Sequence, residues 1–594
     1  MLRLRQLAAG LLALLIAVSA AAADPAKVLR IAFPVAETGF DPARVSDLYS
    51  NIVNEAIFER LLTYDYLARP AKLVPMTAES MPEVSDGGRT YVLHLKRGIY
   101  FAPDPAFKGR KRELTAEDYV YTFKRFADPA LRAPYGFMVQ GKIVGFDEAM
   151  EAAKKSGKFD YDATIPGIVA LDKYTIRFKL TAPDYLFPYT LAHIVFGAVA
   201  REVIEAYASD TQAHPVGTGP YMLKEWRRAA KIVLVANPNY RDDTWDFKPG
   251  ADAWDHAVAA AMKGKKIPQI GRVEISVVEE NQSRWLAFQR KELDYLAVPA
   301  TFVEQALDAS NNLKPEWERQ GVSLFRAVDP SVGYAFFNFR DPLVGGFSKE
   351  KIALRRAIIM GFDLPAEIRV IAKNQAVQAQ MPIPPGVVGH DPGYRDVNQY
   401  DPVLANKLLD YFGYKKGPDG YRTLPDGKPL TLRQATGTSA IDREQSELWK
   451  RSMDAIGIRI QFEPGKFADT LKAAKACHVM MWQAAWTADY PDGDNFMQLL
   501  YGPNTGESNN GCYESKAYDA MYEKSLTLPP DSIERDHLFI DMTRQMEVDG
   551  AWSLDTFPIR NQLIRPWVKG YKKHPILQAE FVYMDIDLEG SPNQ

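Results

Sequence analysis

The sequence predicts a mixed α/β protein with more than one domain. Three observations predict it: segments in which polar and apolar residues alternate, capped amphipathic segments between them, and a length of 594 residues. A single hydrophobic core stops growing at roughly 250 to 300 residues, so a chain of this length is expected to divide. Strands and helices that interleave along one chain are typical of the α/β class.

The strand predictions depend on alternation between two faces. The segments are YVLHLK, TIRFKL, KIVLVAN, RVEISVV and IRIQFE, at residues 91–96, 175–180, 231–237, 272–278 and 458–463. Successive side chains of a strand point to opposite sides, so each segment places one apolar face inward. They are therefore expected to form sheets that are packed on at least one side.

Two helices have clear start signals. TAEDYVYTFKRF follows a capping box in which Thr115 is the N-cap and Asp118 lies three residues later. In DPVLANKLLDYFG, Asp401 is the predicted N-cap, Pro402 occupies the first helical position and Gly413 ends the helix. The sequence contains no internal repeat or low-complexity linker, which favours domains built from discontinuous segments.

The composition excludes several classes of protein. Hydrophobic residues at 46% and charged residues at 25% argue against a disordered chain and against a polytopic membrane protein. The net charge of −3 provides no positive surface for nucleic acid. The eight histidines are isolated and no Cys-x-x-Cys is present, so no metal or cofactor is predicted. No G-x-S-x-G or H-E-x-x-H motif occurs, and no catalytic residue is predicted.

The N-terminus has the pattern of a secretory signal peptide. Arg3 and Arg5 precede an apolar run from Leu7, and the small residues 21–23 follow it, which predicts cleavage after Ala23. An uncleaved membrane anchor is the alternative, because the apolar run approaches the shortest spanning length. No cysteine lies near the cleavage site, so a lipoprotein is not expected. We expect a soluble mature protein in a Gram-negative periplasm.

Cys477 and Cys512 are the two cysteines of the chain. In an oxidising compartment such a pair is predicted to form a disulfide. Two buried free thiols are the alternative.

Several phrases occur together in an order that resembles a known family. They are LVPMTAESMPEVSDGGRTYVLHLKRGIYF, LTAEDYVYTFKRF, PVGTGPYMLKEW, YAFFNF with KIALRRAIIMGFD, YDPVLANKLLDYFGY and IRPWVKGY. Together they resemble the family 5 extracellular solute-binding proteins of ABC importers, which include oligopeptide-, dipeptide- and nickel-binding proteins. The resemblance implies a periplasmic-binding-protein-like fold of the class II or cluster C type, with two lobes joined by a hinge and an extra domain.

The resemblance also implies a division of the chain. After the signal peptide, 1–23, lobe I would combine 24–60, 187–278 and 552–594, the extra domain would be 61–186, and lobe II would be 279–551. Ligand sites favour domain interfaces, and closure around a ligand creates a state that a transporter can recognise.

The segment WTADYPDGDNF, residues 486–496, supplies the leading ligand contact. In peptide-binding members of the family an aspartate in a W-x-x-D context pairs with the α-ammonium group of the peptide, and Trp486 and Asp489 have that spacing. An enclosed ammonium without a partner costs several kcal/mol, so a fixed carboxylate is expected. The alternative is a loop carboxylate satisfied by backbone amides. Trp482 and Trp486 are expected to offer aromatic surfaces to the ligand.

The other two carboxylates of this segment, Asp492 and Asp494, are interpreted as turn residues, since Pro-Asp-Gly is typical of turns. A calcium loop is excluded because Pro491 occupies its third position. Some peptide binders carry a basic residue three positions before the tryptophan, where this chain has Gln483. The partner of a peptide carboxylate therefore cannot be named.

Three further contacts follow from the resemblance. Tyr135 in RAPYGFM corresponds to a tyrosine that meets the peptide backbone, and packing within the extra domain is its alternative. Thr38 and Gly39 in AETGFDP correspond to an extended segment at one edge of the cleft, where backbone groups could pair with an extended ligand.

These features predict a periplasmic receptor, not an enzyme, that captures a short peptide or similar amine-bearing solute and delivers it to an inner-membrane ABC permease. It is expected to act as a monomer and not to bind nucleic acid. One alternative keeps the fold but binds a metal chelate, haem, an opine or an oligosaccharide. The other is a secreted hydrolase that uses the carboxylates of residues 486–496.

Overall fold

The computed structural model describes residues 23–591 with the exception of residues 209, 439, 466 and 507. The predicted signal peptide, apart from its last residue, lies outside the described residues. No helix in the described part of the chain has the length and apolar character needed to cross a bilayer.

The strands interleave with helices along the whole described chain. In chain order they are β1 (Asp24–Phe33), β2 (Leu62–Tyr64), β3 (Leu73–Pro75), β4 (Glu83–Ser85), β5 (Thr90–His94), β6 (Ile168–Asp172), β7 (Thr175–Lys179), β8 (Tyr221–Arg227), β9 (Lys231–Ala236), β10 (Ile270–Val277), β11 (Tyr295–Ala297), β12 (Ser323–Val328), β13 (Ser331–Phe337), β14 (Ala376–Gln378), β15 (Thr431–Thr436), β16 (Arg459–Pro464), β17 (Met481–Thr487), β18 (Trp552–Leu554), β19 (Thr556–Ile564), β20 (Val568–Lys569) and β21 (Asp585–Ile586). The five predicted strands are confirmed as β5, β7, β9, β10 and β16.

The α-helices are mostly short. They are α1 (Leu48–Ile57), α2 (Ala116–Phe126), α3 (Phe146–Ser156), α4 (Phe187–Ala192), α5 (Arg201–Ala206), α6 (Ala253–Met262), α7 (Asn281–Gln289), α8 (Val303–Ala306), α9 (Pro315–Glu318), α10 (Lys349–Gly361), α11 (Leu364–Ala366), α12 (Pro402–Tyr411), α13 (Ala440–Ile456), α14 (Phe467–Lys475), α15 (Asp494–Met497), α16 (Lys516–Leu526) and α17 (Ile533–Asp549). A π-helical turn, Glu367–Ile371, follows α11.

The helix start signals of the sequence are confirmed. The backbone N–H of Thr115 donates to Asp118 Oδ2 at 2.8 Å, so the capping box precedes α2 as predicted. Asp401 caps α12 by accepting from the backbone N–H of Leu404 at 2.8 Å. Local hydrogen-bonding chemistry therefore fixes where these helices begin.

Four sheets of three or more strands organise the described part of the chain. Their strand orders are β1-β10-β9-β8, β4-β5-β7-β6, β16-β15-β17-β13-β18 and β11-β19-β12, and β14 also pairs with β19 in the last of them. The first three draw mainly on the segments predicted as lobe I, the extra domain and lobe II. Strands from both lobe segments depart from that division. β18, from a segment predicted as lobe I, pairs with β13 of the lobe II sheet, and β11, β12 and β14, from the segment predicted as lobe II, pair with β19. The domain boundaries stay predictions.

The lobe II sheet is covered on both faces. Along β13, Tyr334 and Phe336 pack into one hydrophobic core, and Ala335 and Phe337 pack into another on the opposite side. This follows from the two-residue period of a strand. The same alternation in β17 sends Trp482 and Gln483 to opposite faces.

Two short connections in the described chain join the β11-β19-β12 sheet to the lobe II sheet. The first connection, between β12 and β13, is residues 329–330, and the second, between β18 and β19, is Asp555 alone. The Asp329 N–H donates to Pro558 O at 2.9 Å, and the Asp555 N–H donates to Gly333 O at 2.9 Å. The two connections therefore lie side by side, and we call them the paired crossing.

The predicted disulfide is confirmed. Cys477 and Cys512 are bonded, with their Cα atoms 6.1 Å apart. The bond joins the segment before β17 to the chain that follows α15, so it encloses the W-x-x-D segment in a covalent loop.

Candidate functional site

The W-x-x-D segment begins at the end of β17, where the strand leaves the lobe II sheet. Trp486 is half-buried and Thr487 is exposed at the end of the strand, and Asp489 is half-buried just beyond it. Trp482, near the start of β17, is 8% exposed and meets Phe336 edge to face with ring centres 6.2 Å apart. The structure therefore places Trp482 in the core, and the aromatic surface nearest to Asp489 in β17 is that of Trp486.

One side chain, Asn495, fixes the W-x-x-D geometry. Its Oδ1 accepts from Trp486 Nε1 and from the backbone N–H of Asp489, both at 3.0 Å. Its Nδ2 donates to Asp489 Oδ2 at 3.1 Å. Asn495 is 3% exposed in α15, so it is itself held rigidly. Sequence reasoning did not identify it, although it lies in the same eleven-residue segment.

The Asp489 carboxylate has no basic partner among the described residues. Its hydrogen bond comes from the Asn495 amide, not from the backbone amides that the alternative interpretation required. Burial raises the pKa of Asp489, and the Asn495 hydrogen bond only partly opposes this. Asp489 is therefore a positioned carboxylate whose charge the described part of the protein leaves without a counter-charge.

The other two carboxylates of the segment have internal partners. Asp492 and Arg535 are both fully buried and form two hydrogen bonds, of 2.6 and 2.8 Å. Asp492 Oδ1 also accepts from the Asp494 N–H, and Asp494 Oδ2 accepts from the Tyr490 hydroxyl. Burial and the neighbouring charge of Asp492 raise the pKa of Asp494. The two residues have structural roles, and the partner Arg535 was not foreseen from the turn chemistry.

Tyr135 lies between Asp489 and the N-terminal segment. Its pKa rises to about 12, first because of burial and then because of the negative charges of Asp489 and Asp47. Both carboxylates are therefore near the phenol. The Tyr135 ring also packs on His193, with ring centres 4.8 Å apart. Tyr135 also packs on Phe137, with ring centres 6.0 Å apart, and this contact is the packing within the extra domain that the alternative interpretation expected.

Thr38 and Gly39 reach the same region through Asp47, the N-cap of α1. Thr38 Oγ1 donates to Asp47 Oδ2 at 2.5 Å. The backbone N–H groups of Thr38 and Gly39 both donate to Ser50 Oγ, at 3.0 and 3.4 Å. An extended ligand would therefore have to pair with carbonyl groups of this segment instead of its amides.

Gly39 has a strict conformational reason to be glycine. Its φ is +151°, and a Cβ atom there would collide with the side chain of Gln212. The structure thus brings Thr38, Gly39, Tyr135, Trp486 and Asp489 into one region and leaves Trp482 outside it. Within the described residues no three His, Cys, Asp or Glu side chains are grouped as metal ligands.

Comparison with known proteins identifies related chains. A model of the bacterial extracellular solute-binding proteins, family 5 middle region, matches residues 72–508. Di/tripeptide-binding protein 2 of Pseudomonas aeruginosa is 26% identical over 97% of this chain and 98% of its own. Heme-binding protein A of Haemophilus influenzae is 25% identical over 93% of this chain and 91% of its own.

The fold is also found in solved structures. The periplasmic binding protein DppA of Helicobacter pylori, in complex with the peptide STSA, superposes with a TM-score of 0.69 and 22% identity. The alignment covers 94% of this chain and 98% of that one. The two-lobed α/β fold is thereby established, and the family match extends over more than half of the sequence. The chain belongs to the family 5 bacterial extracellular solute-binding proteins.

Proposed function

We propose that this protein is the periplasmic receptor of an ABC importer, and that it captures a short peptide or similar solute with a free amino group between its lobes. The observation that carries the proposal is Asp489, a half-buried, rigidly held carboxylate without a basic partner in the described structure. It lies beside Trp486 and near Tyr135 from another part of the chain. A cation is the group that this arrangement lacks.

The physics favours an ammonium group at this position. When the lobes close, water leaves and the attraction between Asp489 and a ligand cation strengthens, because the local dielectric constant falls. Asn495 holds the carboxylate in place beforehand, so little side-chain entropy is lost on binding. The peptide-binding names of several relatives support the same class of ligand.

Isothermal titration calorimetry with trialanine and N-acetyl-trialanine tests the proposal. The wild-type protein should bind the free-amine peptide at least about 30-fold more tightly, since losing one partner of a buried charge pair costs about 2 to 5 kcal/mol. The Asp489→Asn variant should lose most of this preference. Trialanine at about 100 times its Kd should also stabilise the wild-type fold by about 2.7 kcal/mol.

Asp494→Asn is the matched control, because it changes a carboxylate of the same loop that already has an internal partner in Tyr490. The control should keep the preference for the free amine. Equal affinity for the two peptides in the wild-type protein would contradict the anchor role. Haem binding by purified protein that does not respond to Asp489→Asn would favour the non-peptide alternative.

The proposal includes the cellular route of the chain. Cleavage after Ala23 would release a soluble periplasmic protein that is not a lipoprotein and that delivers its ligand, as a monomer, to an inner-membrane permease. Mass spectrometry of the periplasmic fraction should find a mature N-terminus at Asp24. Retention of residues 1–23, or a lipid adduct on the mature protein, would contradict the predicted cleavage and release.

A further inference from the structure

A pair of carboxyl groups lies beside β17, on the face opposite to that of Trp486. Gln483 Nε2 donates to Asp555 Oδ2 at 2.7 Å and to Glu367 Oε1 at 3.1 Å, so one amide lies between the two acids. Gln445 Nε2 also donates to Glu367 Oε1, at 3.3 Å. Asp555 is 2% exposed and Glu367 is 7% exposed. We call Glu367 and Asp555 the acid pair.

Each member of the acid pair keeps one oxygen without a partner. Glu367 Oε2 and Asp555 Oδ1 are buried and accept no hydrogen bond from any described residue. No described lysine, arginine or histidine forms an ion pair with either carboxyl group. A buried polar atom without a partner is costly, and each of these two atoms lacks a donor among the hydrogen bonds of the described chain.

The acid pair is buried beneath a face of β17 whose last residues are exposed. Gln483, Ala485 and Thr487 share one face of β17, and the latter two are exposed. Gly333 pairs with Ala485 across the sheet and has no side chain, and a Cβ there would lie 3.4 Å from Asp555 Cβ. Small residues therefore cover the acid pair between Gln483 and the end of the strand, where the W-x-x-D segment begins.

We propose that the acid pair is a second cation subsite, which binds a guanidinium or ammonium group of the captured solute. The inference rests on the proposed function and specifies its substrate class: an amino-terminated peptide with a basic side chain. A planar guanidinium has five N–H donors and a positive charge, so its hydrogen bonds to carboxylate oxygens are stronger than those of a neutral side chain of similar shape. Burial, and then the neighbouring charge of Glu367, raise the pKa of Asp555.

The distance between the acid pair and Asp489 limits where the basic side chain can lie in the ligand. Gln483 and Asp489 are six residues apart, which in extended chain is at most about 20 Å. An extended peptide covers that distance with about six residues, so the basic side chain is expected within this length of the amino terminus.

Alanine pentapeptides with a single arginine at position 2, 3, 4 or 5 test the subsite against the same peptides with citrulline. Citrulline keeps the shape of arginine but has no charge. In calorimetry with the wild-type protein, at least one arginine peptide should bind roughly 30-fold more tightly than its citrulline counterpart. This comparison needs no variant. Equal affinities at all four positions would overturn the inference.

Two nearly isosteric variants locate the effect. Glu367→Gln and Asp555→Asn should each reduce the arginine preference to less than about fivefold, while citrulline peptides keep their affinity. Glu444→Gln, which changes an exposed carboxylate beside Gln445 on α13, should leave the preference unchanged. A preference that persists in both acid-pair variants would overturn the inference.

The outcomes separate this inference from the proposed function. If neither the pentapeptides nor trialanine bind, both fall. If trialanine binds in a manner that depends on Asp489, but arginine and citrulline peptides bind equally, only the acid pair loses its role.

Discussion

Asp489 and Asp492 lie three residues apart in one loop and have opposite surroundings. Asp492 is fully buried against the fully buried guanidinium of Arg535, and its neighbour Asp494 donates a backbone N–H to it. Asp489 is half-buried and is held by an amide that contributes no charge. The loop thus contains one carboxylate that the fold has neutralised and one that it has only positioned.

The difference teaches how a structural carboxylate is distinguished from one available to a ligand. Burial alone does not separate them, because desolvation disfavours the charge in both cases. The presence or absence of an internal cation separates the two kinds of carboxylate. The comparison predicts that the two residues affect different measurements, Asp492 the free energy of unfolding and Asp489 the affinity for ligand.

The largest expected effect comes from breaking the neutralised pair. Arg535→Met leaves Asp492 as a buried charge without a partner, and it should reduce the free energy of unfolding by about 3 to 5 kcal/mol in urea denaturation. Asp489→Asn should change it by less than about 1 kcal/mol. Arg544→Met on the same helix removes an exposed ion pair with Asp541 and is the matched control, also below about 1 kcal/mol. A similar loss in all three variants would remove the distinction.

An intermediate effect is expected from the residue that positions Asp489. Asn495→Ala removes an acceptor from Trp486 and a donor from the carboxylate, and it leaves polar groups without partners. The free energy of unfolding should fall by about 1 to 3 kcal/mol, and the Kd for trialanine should rise about tenfold. An unchanged Kd in a folded variant would mean that Asp489 needs no positioning.

The smallest effect is a dependence on pH. Because burial raises the pKa of Asp489, the folded protein holds a proton that the unfolded chain has released once the pH exceeds about 3.8. Asp489 therefore contributes stability at low pH that is lost as the pH rises through its raised pKa, at no more than about 1.4 kcal/mol per pH unit. Urea titrations from pH 4 to 6.5 should show this slope in the wild-type protein and a smaller one in Asp489→Asn. Parallel curves would contradict it.

Features that depend on local sequence were predicted well. The caps at Thr115 and Asp401 and the five alternating strands involve neighbours in the chain, so their patterns are visible in a single sequence. The W-x-x-D segment was predicted as a ligand site through a family resemblance, and its role in ligand binding stays a prediction.

Apart from the disulfide, features that depend on distant partners were not predicted. Arg535 meets Asp492 from 43 residues away, and Gln483 meets Glu367 from 116 residues away. No spacing rule relates such positions, because only the tertiary fold brings them together. The same limit applies to Trp482, whose aromatic surface is used by the core of lobe II.

The paired crossing has a consequence for the motion that we expect of the two lobes. Two neighbouring connections should favour a swing of one lobe about the line through them over sliding or twisting. A solute that binds between the lobes would then have mainly one angle to arrest, and a few contacts on each side would select one orientation. Since Asp555 is itself one of the two connections, a group bound there would act near the rotation axis, where it would obstruct the swing least.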